Sequence, residues 1–358
     1  MLITVTIATS IFLASYILTF FVANLLSIKG DVAASYLLKK DPFIYIFFIL
    51  LAFFSAAYFS IPYFHDIIVP PGLLWLGSSF LFAGIIYLLF LLETDLLLDA
   101  AVFVFSVLNV FFFANKTVLA DLAPVPWQLS ALAIGLIIGL ITLGAKVLSG
   151  LSGVFSLFMA TVSFGLFLIS CAGGVPLYLG YTALAISGVF ACVFRFNGWQ
   201  LQLHINEGAV MSVTFLFCML LICATNEFAG PSALILPLYI IAELLWSLFK
   251  QYILRKKEPD LYFNSTYFTA FEKGVDIAVI YTLVLKICIV NIVLAVFQLY
   301  AQNAYTLPIL ALIIDFWFLS KISGIGQTEK SLKEVNEHFV QNIKGEIKNI
   351  KQHLSKRG

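Results

Sequence analysis

Four acidic side chains are the residues of this chain best suited to bind a divalent cation. Glu93, Asp95 and Asp99 lie between two apolar runs, and Glu207 precedes another apolar run much later in the chain. Carboxylate oxygens are ligands that Mg²⁺ takes in proteins, and a cation held in this way neutralises charge that develops on a pyrophosphate. Asp95 and Asp99 are four residues apart and therefore share one helix face. The acids predict either a magnesium site or solvated helix ends.

The segment from Lys146 to Val154 is a second candidate, because it combines Ser149 and Ser152 with a glycine after each serine. Such small polar residues are typical of a tight turn in which a hydroxyl group caps a helix. A serine nucleophile is disfavoured, since no histidine or acid in the segment could activate it. Lys146 carries a compact positive charge that can bind a phosphate group. The segment therefore predicts a structural turn beside an anion-binding lysine.

Cysteine and histidine add no further chemistry. The five cysteines contain no C-x-x-C pair, and the four histidines are scattered between loops and the C-terminal tail. Neither set shows metal-ligand spacing, so we expect no zinc site, no disulfide and no cofactor.

The composition shows that the helices that carry these residues lie in a membrane. Hydrophobic residues make up 62% of the chain and charged residues 11%, and the mean hydropathy is +1.04. A soluble surface needs far more charge. Because crossing the hydrocarbon core takes roughly 20 apolar residues per helix, we predict an all-α membrane helix bundle with about eleven transmembrane helices. The apolar runs are 2–26, 43–61, 72–92, 96–114, 127–145, 154–171, 175–194, 209–225, 231–249, 275–300 and 305–320.

The distribution of lysine and arginine predicts the orientation of the bundle. All but two of the 20 basic residues fall in the odd-numbered loops or in the tail, and the exceptions are Lys116 and Lys286. Short cytoplasmic loops retain positive charge. We therefore expect the N-terminus outside and the C-terminus in the cytoplasm, with a transmembrane domain over residues 1–325 and a cytoplasmic tail over residues 326–358.

Four stretches on the predicted cytoplasmic side carry a resemblance to a known family. Residues 91–99 read Leu-Leu-Glu-Thr-Asp-Leu-Leu-Leu-Asp, and residues 146–154 keep the two Ser-Gly pairs. Residues 196–208 begin with Phe-Asn and end with Glu-Gly, and residues 264–268 read Asn-Ser-Thr-Tyr-Phe. In this order they resemble the loops of the polyprenyl-phosphate N-acetylhexosamine-1-phosphate transferases, which include bacterial undecaprenyl-phosphate GlcNAc-1-phosphate transferase. The resemblance implies a multi-pass protein of the bacterial inner membrane.

The same stretches depart from the family at its catalytic positions. The family's adjacent aspartate pair falls on a stretch that here reads Glu93, Thr94 and Asp95, so the pair is lost. Lys146 replaces an amide, and Ser149 and Ser152 replace two carboxylates. The third stretch keeps Asn197 but has Gln202 in place of a lysine and Glu207 in place of an aspartate. The fourth stretch contains none of the histidines that the family has there.

These departures predict the loss of catalysis. Removing one side chain that stabilises the transition state lowers the rate about 10²–10³-fold. Here most of the family's catalytic residues are replaced at once. We expect a catalytically inactive homologue that binds a membrane lipid, polyprenyl phosphate in particular, or acts as a scaffold subunit of an inner-membrane complex. Lys146, Asn197 and Gln202 are its expected binding residues. The alternative is an active UDP-sugar:undecaprenyl-phosphate sugar-1-phosphate transferase of envelope polysaccharide synthesis whose Mg²⁺ is held by Glu93, Asp95, Asp99 and Glu207.

Three charged residues lie within predicted spans, where an ionisable group usually faces a partner or a cavity. Glu243, Lys286 and Asp315 occupy the last three runs. We expect Glu243 and Lys286 to form a buried ion pair between neighbouring helices. A relay of protons or ions through these three residues is the alternative, and it would make the chain a secondary transporter.

The C-terminal tail carries an apolar stripe at spacings of three and four residues, which predicts an amphipathic helix. Such a helix could lie on anionic lipid headgroups, dock on a partner protein or pack against the inner loops. We expect a protein partner through this helix and no nucleic-acid partner. The stripe consists of Leu332, Val335, Phe339, Ile343, Ile347, Ile350 and Leu354.

Overall fold

The computed structural model describes residues 2–29, 71–92, 95–113, 126–149, 151, 153–175, 177–199, 205, 207–224, 232–252, 265–301 and 306–324. Within these ranges every regular element is helical. The helices are α1 (Leu2–Lys29), α2 (Pro71–Leu91), α3 (Asp95–Phe113), α4 (Trp127–Ser149), α5 (Val154–Cys171), α6 (Leu177–Phe194), α7 (Glu207–Ala224), α8 (Ser232–Ile235), α9 (Leu238–Tyr252), α10 (Thr266–Glu272), α11 (Ile277–Gln298) and α12 (Thr306–Gly324). A π-helical turn, Arg195–Trp199, continues α6.

The all-α prediction is confirmed, and several helices suit a membrane. Six segments of the described chain are long and apolar enough to cross one, and they cover α4, α5, α6 with the π turn, α7, α8 with α9, and α11. Shorter apolar stretches lie in α1, α2, α3 and α12. The chain thus fits a multi-pass membrane protein. The number of eleven spans and their orientation stay predictions, and both the run 43–61 and the tail 326–358 lie outside the described residues.

Two groups of helices form the bundle. In the first, α7 packs against α2, α3 and α4, and α3 lies along α4. In the second, α5 packs between α6 and α11, and α11 in turn contacts α12. Helices α4 and α5 are neighbours, and α9 bridges α4 to α12, so the two groups share one interior.

Small residues allow these helices to approach closely. Gly135 and Gly139 of α4 face α3, where an added Cβ would lie 2.6 Å from the Val107 Cα and 2.4 Å from the Phe103 ring. Such small-residue faces let apolar helices pack where lipid supplies no hydrophobic driving force. Across another interface, Ser212 of α7 donates a hydrogen bond to the carbonyl oxygen of Ala83 in α2 at 3.0 Å.

One predicted span is broken in the structure. The run 231–249 contains the short helix α8, a turn at Leu236 and Pro237, and then α9. Proline has no backbone N–H and its ring clashes with the preceding turn of a helix. The helix therefore stops and starts again, and the Ile240 N–H bonds to the Pro237 carbonyl at 2.9 Å.

The expected ion pair between Glu243 and Lys286 is wrong. Glu243 is fully buried on α9, whereas the Lys286 side chain is exposed on the outer face of α11. Glu243 instead accepts a hydrogen bond from the backbone N–H of Thr266, 2.6 Å from its Oε1. A buried carboxylate needs a donor, and the first turn of a helix supplies such N–H groups.

Candidate functional site

An ion pair joins two of the residues that the sequence singles out. The Lys146 Nζ lies 3.1 Å from the Asp99 Oδ1, which makes both a hydrogen bond and a salt bridge. Asp99 stands in the first turns of α3 and Lys146 in the last turn of α4. Their side chains are 48% and 27% exposed, respectively, so solvent reaches the pair. We call this end of the bundle, which carries Asp99 and Lys146, the site end.

Glu207 also lies at the site end. It is the first residue of α7 and its side chain is exposed. The next residue, Gly208, lies directly against Phe90 near the end of α2, since an added Cβ would stand 2.4 Å from that ring. The α2 helix ends shortly before α3 begins with Asp95 and Asp99. The start of α7 and the start of α3 therefore lie at one end of the bundle, and a joint role of their acids stays a prediction.

The turn that follows Lys146 packs against two distant segments. Gly153 has a φ of 86°, a left-handed conformation that favours glycine. An added Cβ at Gly153 would lie 2.6 Å from the Gly198 Cα in the π turn and 2.7 Å from the Tyr281 hydroxyl of α11. The Tyr281 hydroxyl also donates to the Gly198 carbonyl at 3.3 Å. A glycine contact thus locks the turn, the π segment and the start of α11 together.

Asn197 lies in this locked region. It is 4% exposed, and its Oδ1 has no hydrogen-bond partner within the described part of the chain. Its neighbour Phe196 is buried against Phe20 of α1, with ring centroids 5.8 Å apart. The π turn therefore buries Phe196, Asn197 and Gly198 and leaves Arg195 exposed, and such turns occur often at functional sites. Asn197 is thus a buried acceptor beside the Gly153 contact, and its role in binding stays a prediction.

The sequence did not point to two features, the Tyr281 contact and the helix α10. Tyr281 was not singled out, because a tyrosine at the start of an apolar run carries no local signal. The helix α10 was missed because its seven residues are too few for a periodic pattern. Its Ser265 N-cap, which accepts from the Phe268 N–H at 3.1 Å, follows a recognisable capping rule.

The remaining predicted positions lie outside what the structure describes, either wholly or in their side chains. For Asp95 and Ser149 the helical backbone alone is described. The residues wholly outside are Glu93, Thr94, Ser152 and Gln202.

A divalent cation fits poorly beside Asp99 as the structure has it. The Oδ1 of Asp99 is already bonded to an ammonium group, and a cation bound at the same carboxylate would be repelled by that charge. Among the described side chains, no three of His, Cys, Asp or Glu come close enough together to hold a metal ion. The pair can instead exchange partners, because an anionic phosphate can replace the carboxylate at the lysine.

Comparison of the chain with models of known protein families and with curated protein sequences gives no match.

Proposed function

We propose that this chain is a non-catalytic, lipid-phosphate-binding membrane subunit related to the sugar-1-phosphate transferases. The observation that carries the proposal is the Lys146–Asp99 pair, in which an ammonium group lies against a carboxylate at the end of the bundle. In an active transferase a metal ion would neutralise the phosphates at such a place. Here Lys146 supplies the positive charge itself, and a fixed ammonium can bind phosphate without activating it.

The exposure of the pair supports exchange with a ligand. Asp99 is about half exposed, and ion pairs open to solvent contribute roughly 0–1 kcal/mol. A lipid phosphate can therefore displace Asp99 from Lys146 at small cost. The buried Oδ1 of Asn197 adds an acceptor for a hydroxyl or amide of the bound molecule. A partner protein would dock through the tail, which gives the subunit its scaffold role.

Binding of undecaprenyl phosphate to the full chain in lipid nanodiscs tests the proposal. Lys146→Gln removes a hydrogen bond from a charged donor, for which 1.5–3 kcal/mol is typical. We expect the lower end for this partly exposed site, which is about tenfold in Kd. Asp99→Asn removes the competing carboxylate and should tighten binding. Lys286→Gln, which makes the same change of charge on the exposed face of α11, is the matched control and should leave Kd unchanged.

Turnover is measured on the same protein. Uridine monophosphate release is followed with undecaprenyl phosphate, Mg²⁺ or Mn²⁺ and a panel of UDP-sugars. We expect no release above a control without lipid. Release that disappears with a chelator and in Glu207→Gln would overturn the proposal in favour of the active transferase. An unchanged Kd in both Lys146→Gln and Asp99→Asn would refute the role of the pair.

A further inference from the structure

A second group of polar side chains lies in the interior, between α10, α11 and α12. Asp315 of α12 and Asn291 of α11 are both fully buried. The Asn291 Nδ2 donates a hydrogen bond to the Asp315 Oδ2 at 3.1 Å. Both residues lie well inside long apolar helices. This pair is separate from the Lys146–Asp99 pair and takes no part in the proposed binding of lipid phosphate.

The hydrogen-bonding capacity of this group is only partly used. Among the residues that the structure describes, the Asp315 Oδ1, the Asn291 Oδ1 and the Tyr267 hydroxyl are buried without a hydrogen-bond partner. Tyr267 is 1% exposed, and its ring stands 6.2 Å from the ring of Tyr239 in α9. Burial raises the pKa of Tyr267 well above its usual value, and the neighbouring Cys288 and Asp315 raise it further. The phenol therefore keeps its proton and remains a neutral neighbour of Asp315.

The described side chains around Asp315 offer no positive charge. Helices α8, α9, α10 and α11 pack against α12. Among the described residues, the titratable groups that they bury are Glu243 and Tyr239 on α9, Tyr267 on α10, and Tyr281 and Cys288 on α11, while α8 has none. Lys286 is exposed on another face of α11. An aspartate anion would thus be buried with one amide N–H as its donor.

Such an anion is costly. Burying an unpaired carboxylate costs several kcal/mol even after the protein relaxes, and a buried group of this kind avoids the penalty by becoming neutral. A proton from solvent that adds to the carboxylate changes its charge from minus one to zero. The neutral carboxyl keeps the Asn291 amide as the donor to its Oδ2. Ionisable residues inside a membrane domain are candidates for such a role.

We propose that Asp315 is a proton-binding site inside the bundle, which holds its proton on Oδ1 at neutral pH while its Oδ2 accepts the hydrogen bond from Asn291. The ligand of this site is the proton itself. The site forms independently of any lipid phosphate at the site end.

Infrared spectroscopy of the full chain in lipid nanodiscs tests this assignment. A neutral carboxyl group gives a C=O stretching band that is separate from the carboxylate bands and moves when water is exchanged for heavy water. We expect this band at neutral pH and expect Asp315→Asn to abolish it. Asp276→Asn is the matched control, because Asp276 is an exposed N-cap of α11 and asparagine caps equally well. It should leave the band unchanged.

Two further measurements separate Asp315 from other sources. Glu243→Gln should retain the band, and loss of the band in this variant with retention in Asp315→Asn would overturn the proposal. Aspartate labelled with heavy carbon at its side-chain carboxyl should shift the band in the wild-type chain, and absence of this shift would overturn the assignment even if Asp315→Asn does not fold. Absence of the band at neutral pH, or its loss when sodium chloride replaces choline chloride, would also refute a proton site.

Discussion

Replacing Gly153 with alanine tests the contact that locks the site end. The substitution has two costs at this position. Its φ of 86° is left-handed, and a Cβ there costs about 1–2 kcal/mol. The Cβ would also lie 2.6 Å from the Gly198 Cα and 2.7 Å from the Tyr281 hydroxyl. The first contact is with backbone, which cannot rotate away, and overpacking of this kind typically adds about 1–3 kcal/mol.

Gly173 supplies a matched control for the second cost. Its φ is also 86°, yet an added Cβ would meet nothing within 4 Å. Gly173→Ala should therefore lower the free energy of unfolding only by the conformational cost of about 1–2 kcal/mol. Gly153→Ala should lower the free energy of unfolding by about 2–5 kcal/mol, the sum of the conformational and packing costs. The difference between the two variants isolates the contact among the turn, the π segment and α11.

Unfolding in mixed micelles with increasing sodium dodecyl sulfate measures both variants, and the fluorescence of the five tryptophans follows the transition. We expect Gly153→Ala to unfold at a clearly lower detergent fraction than Gly173→Ala. Equal midpoints would refute the close contact at Gly153. A lower midpoint for Gly173→Ala than for Gly153→Ala would show that the close contact lies at Gly173 and not at Gly153.

The remaining predictions use the same unfolding assay. Ser265→Ala should cost about 1 kcal/mol, because the hydroxyl caps α10 by accepting from the Phe268 N–H; Thr282→Ala, on the exposed face of α11, is the control and should be close to neutral. Lys286→Leu should leave stability unchanged or raise it by up to about 3 kcal/mol, since a lysine exposed on an apolar helix gains little from a membrane. A loss of stability in Lys286→Leu would mean that this lysine has a partner.

Much of the fold could be predicted from the sequence, because long apolar runs have few ways to satisfy their backbone groups other than as helices. Helices occur at ten of the eleven predicted runs, and the run 43–61 lies outside the described residues. The break at Pro237 was missed because the hydropathy averaged over the run 231–249 is high despite one proline. Hydropathy reports that a segment is apolar and not whether its backbone continues.

The candidate site was less predictable, because its contacts join segments far apart in the sequence. The sequence placed Asp99 and Lys146 on the same predicted side of the bundle, but their ion pair was not predicted. The hydrogen bond from Tyr281 to Gly198 depends on a close approach of two segments. Glycine permits such an approach, but its presence in the sequence does not predict which segments meet. The expected pairing of Glu243 with Lys286 failed for a related reason, since opposite charges on neighbouring helices do not reveal which faces those helices turn toward each other.

The position of α7 has a consequence for how the protein is made. Nearly all its side chains are buried, and α2, α3 and α4 are its main neighbours. All three are synthesised before it, so their faces exist when α7 leaves the insertion machinery. A helix must first be apolar enough to enter lipid and only afterwards exchanges lipid for protein contacts. The bond from Ser212 to Ala83 belongs to that later step. Assembly of α2, α3, α4 and α7 can therefore precede synthesis of α9 through α12, and a ribosome stalled between them would carry a partly assembled bundle.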